Sequence, residues 1–127
     1  ERTKYETEYL PLVEKYGLSV FPYWALAAGF LTGKYRAKED LSKSVRGAGV
    51  EKYLNEKGLS VLAALDQLAG KHHTQMATVS LAWLLHQPHV LAPIVSATNL
   101  SQLQPMIDAP KLKLDADDLA LLDSVSK

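Results

Sequence analysis

A lysine that follows small residues and glycines at the end of an apolar segment has the makings of a phosphate grip. The stretch Pro22-Tyr23-Trp24-Ala25-Leu26-Ala27-Ala28-Gly29-Phe30-Leu31-Thr32-Gly33-Lys34-Tyr35 has that composition. An apolar strand, Leu18 to Pro22, is predicted to run straight into it. Small side chains and glycines expose backbone N–H groups, which line anion-binding concavities, and the lysine adds a full charge. A second predicted strand, Val90 to Val95, ends in another small polar turn, Ser96-Ala97-Thr98-Asn99. Two such strand ends could hold the two ends of one dinucleotide, so a cofactor site is the leading reading. The run is not a Walker A loop. Counting back from Lys34, the G-x-x-x-x-G-K-[ST] spacing places Ala28 where the first glycine belongs, and Tyr35 follows the lysine. ATP hydrolysis is therefore disfavoured.

Composition narrows the class. At 127 residues the chain is one domain or part of one. Fourteen basic residues balance 14 acidic ones, so nothing favours nucleic acid or an anionic membrane. Apolar residues make up 47%, too many for a disordered chain. With no cysteine there is no disulfide frame, thiolate nucleophile or Cys-based zinc site. No apolar run approaches the ~20 residues that span a bilayer, and no signal peptide is recognisable, so a soluble cytoplasmic protein is expected. His72, His73, His86 and His89 lack a carboxylate or cysteine grouping around them, so no metal site is expected. The chain starts at Glu1 with a polar helical run, which suggests a piece of something longer, although processing or trimming would look the same.

The elements that must position these turns follow from periodicity. Glu6 to Tyr16 reads as a helix with Tyr9, Leu12, Val13 and Tyr16 on one face and Gly17 as its stop. Residues 24 to 50 form a long connection, of a length that is usually functional or disordered. Glu51 to Lys71 reads as a helix that Gly58 weakens or divides. Thr74 is predicted to cap a further helix through His86, which Gln87-Pro88 ends. Asn99 opens a helix through Ile107, with Pro105 inside it, and Asp115 to Asp118 start the last one. Strands alternating with helices imply βαβ units and a parallel sheet, hence an α/β fold. Two parallel strands alone bury little and leave both edges unpaired, so further strands are expected from a missing part of the chain or from a partner.

At these residues the chain resembles the aldo-keto reductases. The family's signature after its seventh barrel strand is similar to Y-S-P-L-A-x-G-x-L-T-G-K-Y, and this chain matches it at Tyr23, Leu26, Ala27, Gly29 and Leu31 to Tyr35. Thr78 to Leu85 is similar to the family's V-A-L-A-W-L helix. Val90 to Leu103 is similar to its eighth strand and following turn, I-x-G-A-[ST]-x-x-x-Q-L. The whole chain is covered in family order, and the GKY-bearing branch, which includes potassium-channel β subunits, fits best. The resemblance implies the C-terminal portion of a (β/α)8 TIM barrel, strands 7 and 8 with flanking helices, over residues 1–127. Such barrels need about 250 residues, and the loops after strands 7 and 8 build their phosphate site. The family's catalytic Asp, Tyr, Lys and His come from earlier strands and loops, so no catalytic residue is expected here. The implied function is NADP(H)-dependent reduction of aldehydes or ketones. This chain would supply the phosphate and adenosine side of the site. The alternatives are a non-catalytic NADPH-binding or partner-docking barrel and an inactive truncated fragment.

The resemblance also implies the site residues. Leu26 and Ala28 would support the pyrophosphate through their backbones and Lys34 through its charge; the competing reading of Lys34 is a solvated loop lysine. Trp24-Ala25 stands where the family has Ser-Pro, so one hydroxyl contact is missing. Arg46 matches a loop arginine that folds over the cofactor, against an exposed arginine on a mobile loop. Ser96, Thr98 and Gln102 match the turn that holds the adenosine 2′-phosphate and adenine, with Ser96 in place of the usual glycine. Asn99-x-x-Gln102 is also a capping-box spacing, and both roles can hold at once. Pro105 and Met106 stand where the family has a Glu-Asn pair that reads adenine. Tyr23 could stack beside the nicotinamide or pack in the barrel.

Overall fold

The computed structural model describes residues 2–127. Helix α1 is continuous over Arg2–Lys4, a π-helical stretch Tyr5–Tyr9, and Leu10–Tyr16. Gly17 ends it in the left-handed conformation (φ 60°), with its N–H on the carbonyls of Glu14 and Val13. Of the predicted apolar face only Val13 is buried; Tyr9, Leu12 and Tyr16 are exposed.

The two predicted strands pair in parallel but do not form a ladder. Among the described residues the pairing is a single bridge between Val20 and Val90. Val20 N–H donates to His89 O (2.8 Å), and Leu91 N–H donates to Val20 O (3.0 Å). The next two bonds of a parallel ladder would come from residues 22 and 93, and both are prolines without an N–H. Ile94 N–H reaches Pro22 O instead (2.9 Å), one residue out of register. Pro22 and Pro93 thus stop the ladder at its first rung.

The connection from 24 to 55 is folded into short 3₁₀ turns over Ala27–Thr32, Lys38–Lys43, Gly47–Gly49 and Glu51–Tyr53. It is pinned from within by Tyr35, which is fully buried and hydrogen-bonded through its hydroxyl to Ser44, and by the equally buried Val50. Helix α2 spans Glu56–Lys71, and Asn55 caps it by accepting from Gly58 N–H at 2.9 Å. The break between the predicted residues 51 and 71 falls at this cap and not at Gly58. Helix α3 spans Met76–Leu85; its N-cap is Gln75 without a side-chain bond, so Thr74 does not cap it. Residues 76–82 of α3 are all buried, as expected for a helix that other elements enclose.

Helix α4 spans Leu100–Asp108 with Pro105 buried inside it, and α5 spans Ala116–Ser126. The Asp115 and Asp118 side chains form a reciprocal capping box at the start of α5. The main core joins Phe30, Tyr35 and Val50 of the long connection to Leu62, Leu65 and Leu68 of α2, Val79 and Ala82 of α3, and Leu122 of α5.

One buried carboxylate ties α5 to α2. Asp118, 2% exposed, accepts from Lys71 Nζ (2.6 Å), His72 Nε2 (2.7 Å) and Asp115 N–H (3.1 Å). His72 therefore does sit against a carboxylate, contrary to the expectation from sequence, because the fold brings together residues 46 apart. Burial pushes the Asp118 carboxyl up, but bonds from Lys71, His72 and the Asp115 backbone outweigh it and hold it below the usual range. Asp115 and Asp118 in turn hold the Lys71 ammonium charged well above its usual range.

Candidate cofactor site

A cleft of about 1180 Å³ opens where the two extended segments end. Seven of the eight residues expected at the site line it: Tyr23, Leu26, Ala28, Lys34, Arg46, Ser96 and Gln102. The eighth, Thr98, lies behind Gln102 and is bonded to it.

The glycine turn forms the floor. Ala27, Ala28 and Gly29 follow one another with positive φ (48°, 57° and 92°). Two alanines in this region cost about 1–2 kcal/mol each, strain that the surrounding packing must hold. The turn uses some of the donors that the sequence reading offers to a ligand. Ala27 N–H donates to Trp24 O and Gly29 N–H to Leu26 O, both at 2.8 Å. Gly29 thus contributes its conformation and its lack of a side chain, not a free N–H. Lys34 lies across this turn with its ammonium 4.9 Å from the centre of the Tyr35 ring.

The loop carrying Arg46 is held by close backbone approach. A Cβ at Gly47 would fall 1.7 Å from Leu41 O, so only glycine fits there. Asp40 organises the start of the loop, accepting from the N–H groups of Arg36 (2.7 Å) and Ala37 (3.0 Å). Lys43, and then those two N–H groups, hold the Asp40 carboxyl down at about 2. Arg46 thus rides on an ordered turn.

The second turn is closed by its own side chains. Asn99 Oδ1 accepts from Gln102 N–H (3.0 Å) and from Ser101 Oγ (2.7 Å). Gln102 Oε1 accepts from both Thr98 N–H and Thr98 Oγ1, each at 3.0 Å. The capping role of Asn99 is therefore realised, while Gln102 bonds back to Thr98 and not to Asn99. On the facing wall Tyr23 and Trp24 meet edge to face, with centroids 5.4 Å apart, and both rings are largely exposed.

The charged side chains lining the cleft are Lys34, Arg46 and Lys52; no carboxylate lines it among the described residues. None of these cations has a carboxylate within 4.0 Å there either. Lys52 was not evident from sequence, because the cleft it lines is built from residues distant in the chain.

The sequence model of the Aldo/keto reductase family matches residues 2–127. The chain belongs to the aldo/keto reductase family. It is 32% identical over 125 residues to a Bacillus subtilis protein named "uncharacterized oxidoreductase YrpG", covering 98% of this chain and 37% of that protein. It is 33% identical over 115 residues to an Arabidopsis thaliana protein named "probable voltage-gated potassium channel subunit beta", covering 85% and 34%. It is 30% identical over 116 residues to a Glycine max protein named "probable aldo-keto reductase 1", covering 90% and 34%. The chain spans about a third of the length of the curated relatives it matches. Membership of the aldo/keto reductase family implies a (β/α)8 barrel. The described residues themselves hold helices and one parallel bridge. Among them no helix is long and apolar enough to cross a membrane.

Proposed function

We propose that this chain is the C-terminal, cofactor-holding part of an aldo/keto reductase barrel that reduces aldehydes or ketones with NADP(H). The observation that carries the reading is the charge of the cleft. In a chain of zero net charge, the charged side chains that line it among the described residues are all cations. An anionic, elongated ligand with aromatic ends fits a cleft with Lys34 and Arg46 over the glycine turn, the Tyr23–Trp24 wall beside it, and the Ser96–Gln102 turn. Lys34 and Arg46 would hold the pyrophosphate with Leu26 and Ala28 beneath it. Tyr23 would lie against the nicotinamide, and Ser96, Thr98 and Gln102 would shape the adenosine end. The reduced nicotinamide supplies a hydride to the carbonyl carbon when bound. The chain's own work is to orient the dinucleotide and neutralise its phosphates.

The exposed apolar residues fit a larger barrel. Phe21 and Leu91, on the two extended segments, are 51% and 63% exposed, and the α1 face of Tyr9, Leu12 and Tyr16 is uncovered. Further strands would pair with the bridge and cover these faces, and self-association of the chain would do so less completely. By resemblance the proton donor and its partners belong to those earlier strands, so the 127 residues alone bind cofactor without reducing carbonyls. A cytoplasmic location and the absence of a nucleic-acid partner belong to the same proposal, the latter resting on the balanced charge. A second reading, a non-catalytic barrel that binds NADPH and docks on a partner, is favoured by the relative named as a potassium channel subunit beta.

Calorimetric titration of the chain with NADPH tests the cleft. Saturable binding that Lys34→Ala weakens supports it, and no binding overturns it. An NADPH-dependent loss of a generic aldehyde with the homogeneous chain would overturn the claim that catalysis lies elsewhere.

A further inference from the structure

We infer that a second cavity, at the far end of α3 from the cleft, binds a small carboxylic acid that carries a hydroxyl on an apolar body. The cavity measures about 310 Å³, room for a small molecule, and is lined by Leu85, His86, Ala109, Pro110, Leu112 and Lys113. None of these residues lines the cleft. Ala77 belongs to the cleft and Leu85 to the second cavity, so the two residues stand about 12 Å apart along α3. What the cleft holds does not enter the inference.

The walls are firm and mostly apolar. Ala109 is buried with Leu81, and Leu85 packs against them. Leu112 N–H donates to the carbonyls of Asp108 (3.2 Å) and Ala109 (3.3 Å), which fixes the short turn Ala109–Lys111. Two polar side chains complete the lining. Lys113 is exposed and has no carboxylate within 4.0 Å among the described residues, whereas Lys111 beside it pairs with Asp108 at 3.5 Å. A lysine without an internal partner, set against apolar walls, suits a ligand carboxylate. His86 Nδ1 lies 2.7 Å from Ala82 O. A carbonyl only accepts, so Nδ1 carries the proton and Nε2 is left to accept from a ligand hydroxyl. The carbonyls that end a helix repel anions, but here they are engaged. His86 N–H bonds Ala82 O (3.1 Å), Gln87 Nε2 bonds Trp83 O (3.2 Å), and Gln87 N–H bonds Leu84 O (3.0 Å).

The test is a titration of the ¹⁵N-labelled chain with 4-hydroxybenzoate, followed by amide chemical shifts. Two comparators remove one group each: 4-hydroxybenzamide lacks the charge and benzoate lacks the hydroxyl. Saturable shifts are expected at Leu85, His86 and the segment from Ala109 to Lys113. The amide should bind about tenfold more weakly and benzoate about threefold more weakly. Lys113→Ala should abolish the preference for acid over amide, and Lys111→Ala should leave it within about twofold. No saturable shifts at these residues, or shifts confined to the cleft around Lys34 and Arg46, overturn the site. Equal binding of acid and amide to the unaltered chain, or a preference that survives in Lys113→Ala, overturns the role of Lys113. Benzoate that binds as well as 4-hydroxybenzoate overturns the hydroxyl contact to His86.

Discussion

Lys34 folds back over Gly29 so closely that a methyl group at position 29 would lie 3.2 Å from Lys34 Cε and 3.4 Å from Nζ. The contact asks only a small shift of the flexible lysine, so the stronger constraint is the φ of 92°, which side-chain-bearing residues rarely adopt. Gly29→Ala is expected to lower stability by about 1–2 kcal/mol and to weaken NADPH binding by displacing the lysine. A melting curve reads the first effect and a titration the second. Unchanged affinity would mean that the position of Lys34 over the turn does not matter to the ligand.

Lys34 and Arg46 should act through charge. Lys34→Ala and Arg46→Ala are each expected to weaken NADPH binding by about 1.5–3 kcal/mol, the range for a hydrogen bond to a charged group. Raising the salt concentration should weaken the unaltered chain more than either variant, because screening removes what the substitution has already removed. Parallel salt curves for all three proteins would argue against a phosphate at these side chains.

The Phe30–Tyr53 stack joins the glycine turn to the segment that ends the long connection. Phe30→Ala empties a buried site and is expected to cost about 3–5 kcal/mol. Tyr53→Leu should cost less, since Tyr53 is only partly buried, while still loosening the loop around Arg46. Urea titrations of the two variants check the order, and an equal loss in both would contradict it.

Acid should release α5 from α2. The Asp118 carboxyl is held below its usual range in the fold, so the stability it confers is complete above the unfolded-state value near about 4. That stability falls away as the pH drops through the lower folded-state value. Asp40, held at about 2, contributes in the same direction. Asp118→Asn should destabilise the chain at neutral pH by about 2–3 kcal/mol and flatten the loss of stability between neutral and acid pH. Equal slopes of stability against pH for both proteins would show that Asp118 does not drive the acid transition.

The local signals of this chain read well. Asn99 and Asp115 announce the caps that the structure shows, because a cap is a contact over three residues. The cleft residues were readable because turn chemistry is written in consecutive residues, from Leu26 to Lys34. What escaped is non-local or turns on a missing hydrogen. Asp118 meets Lys71 and His72 only once α2 and α5 are packed. Lys52 lines the cleft beside Tyr53, whose ring stacks on Phe30 from far earlier in the chain. Pro93 sits inside a run that otherwise has a strand's composition, yet its missing N–H, with that of Pro22, decides how far the pairing goes. Thr74 has the chemistry of a cap but yields the position to Gln75.

The two prolines that end the pairing have an effect on what lies beyond them. Tyr23 and Ile94, each the residue after one of those prolines, are among the first to line the cleft. Beyond the out-of-register bond from Ile94 N–H to Pro22 O, the two main chains are free to diverge. A continued ladder would instead hold neighbouring strands about 4.7–4.9 Å apart. The width of the mouth is thus set by where two N–H groups are missing. Restoring one of them, as by a residue other than proline at position 93, would lengthen the zipper and narrow the opening that a dinucleotide needs.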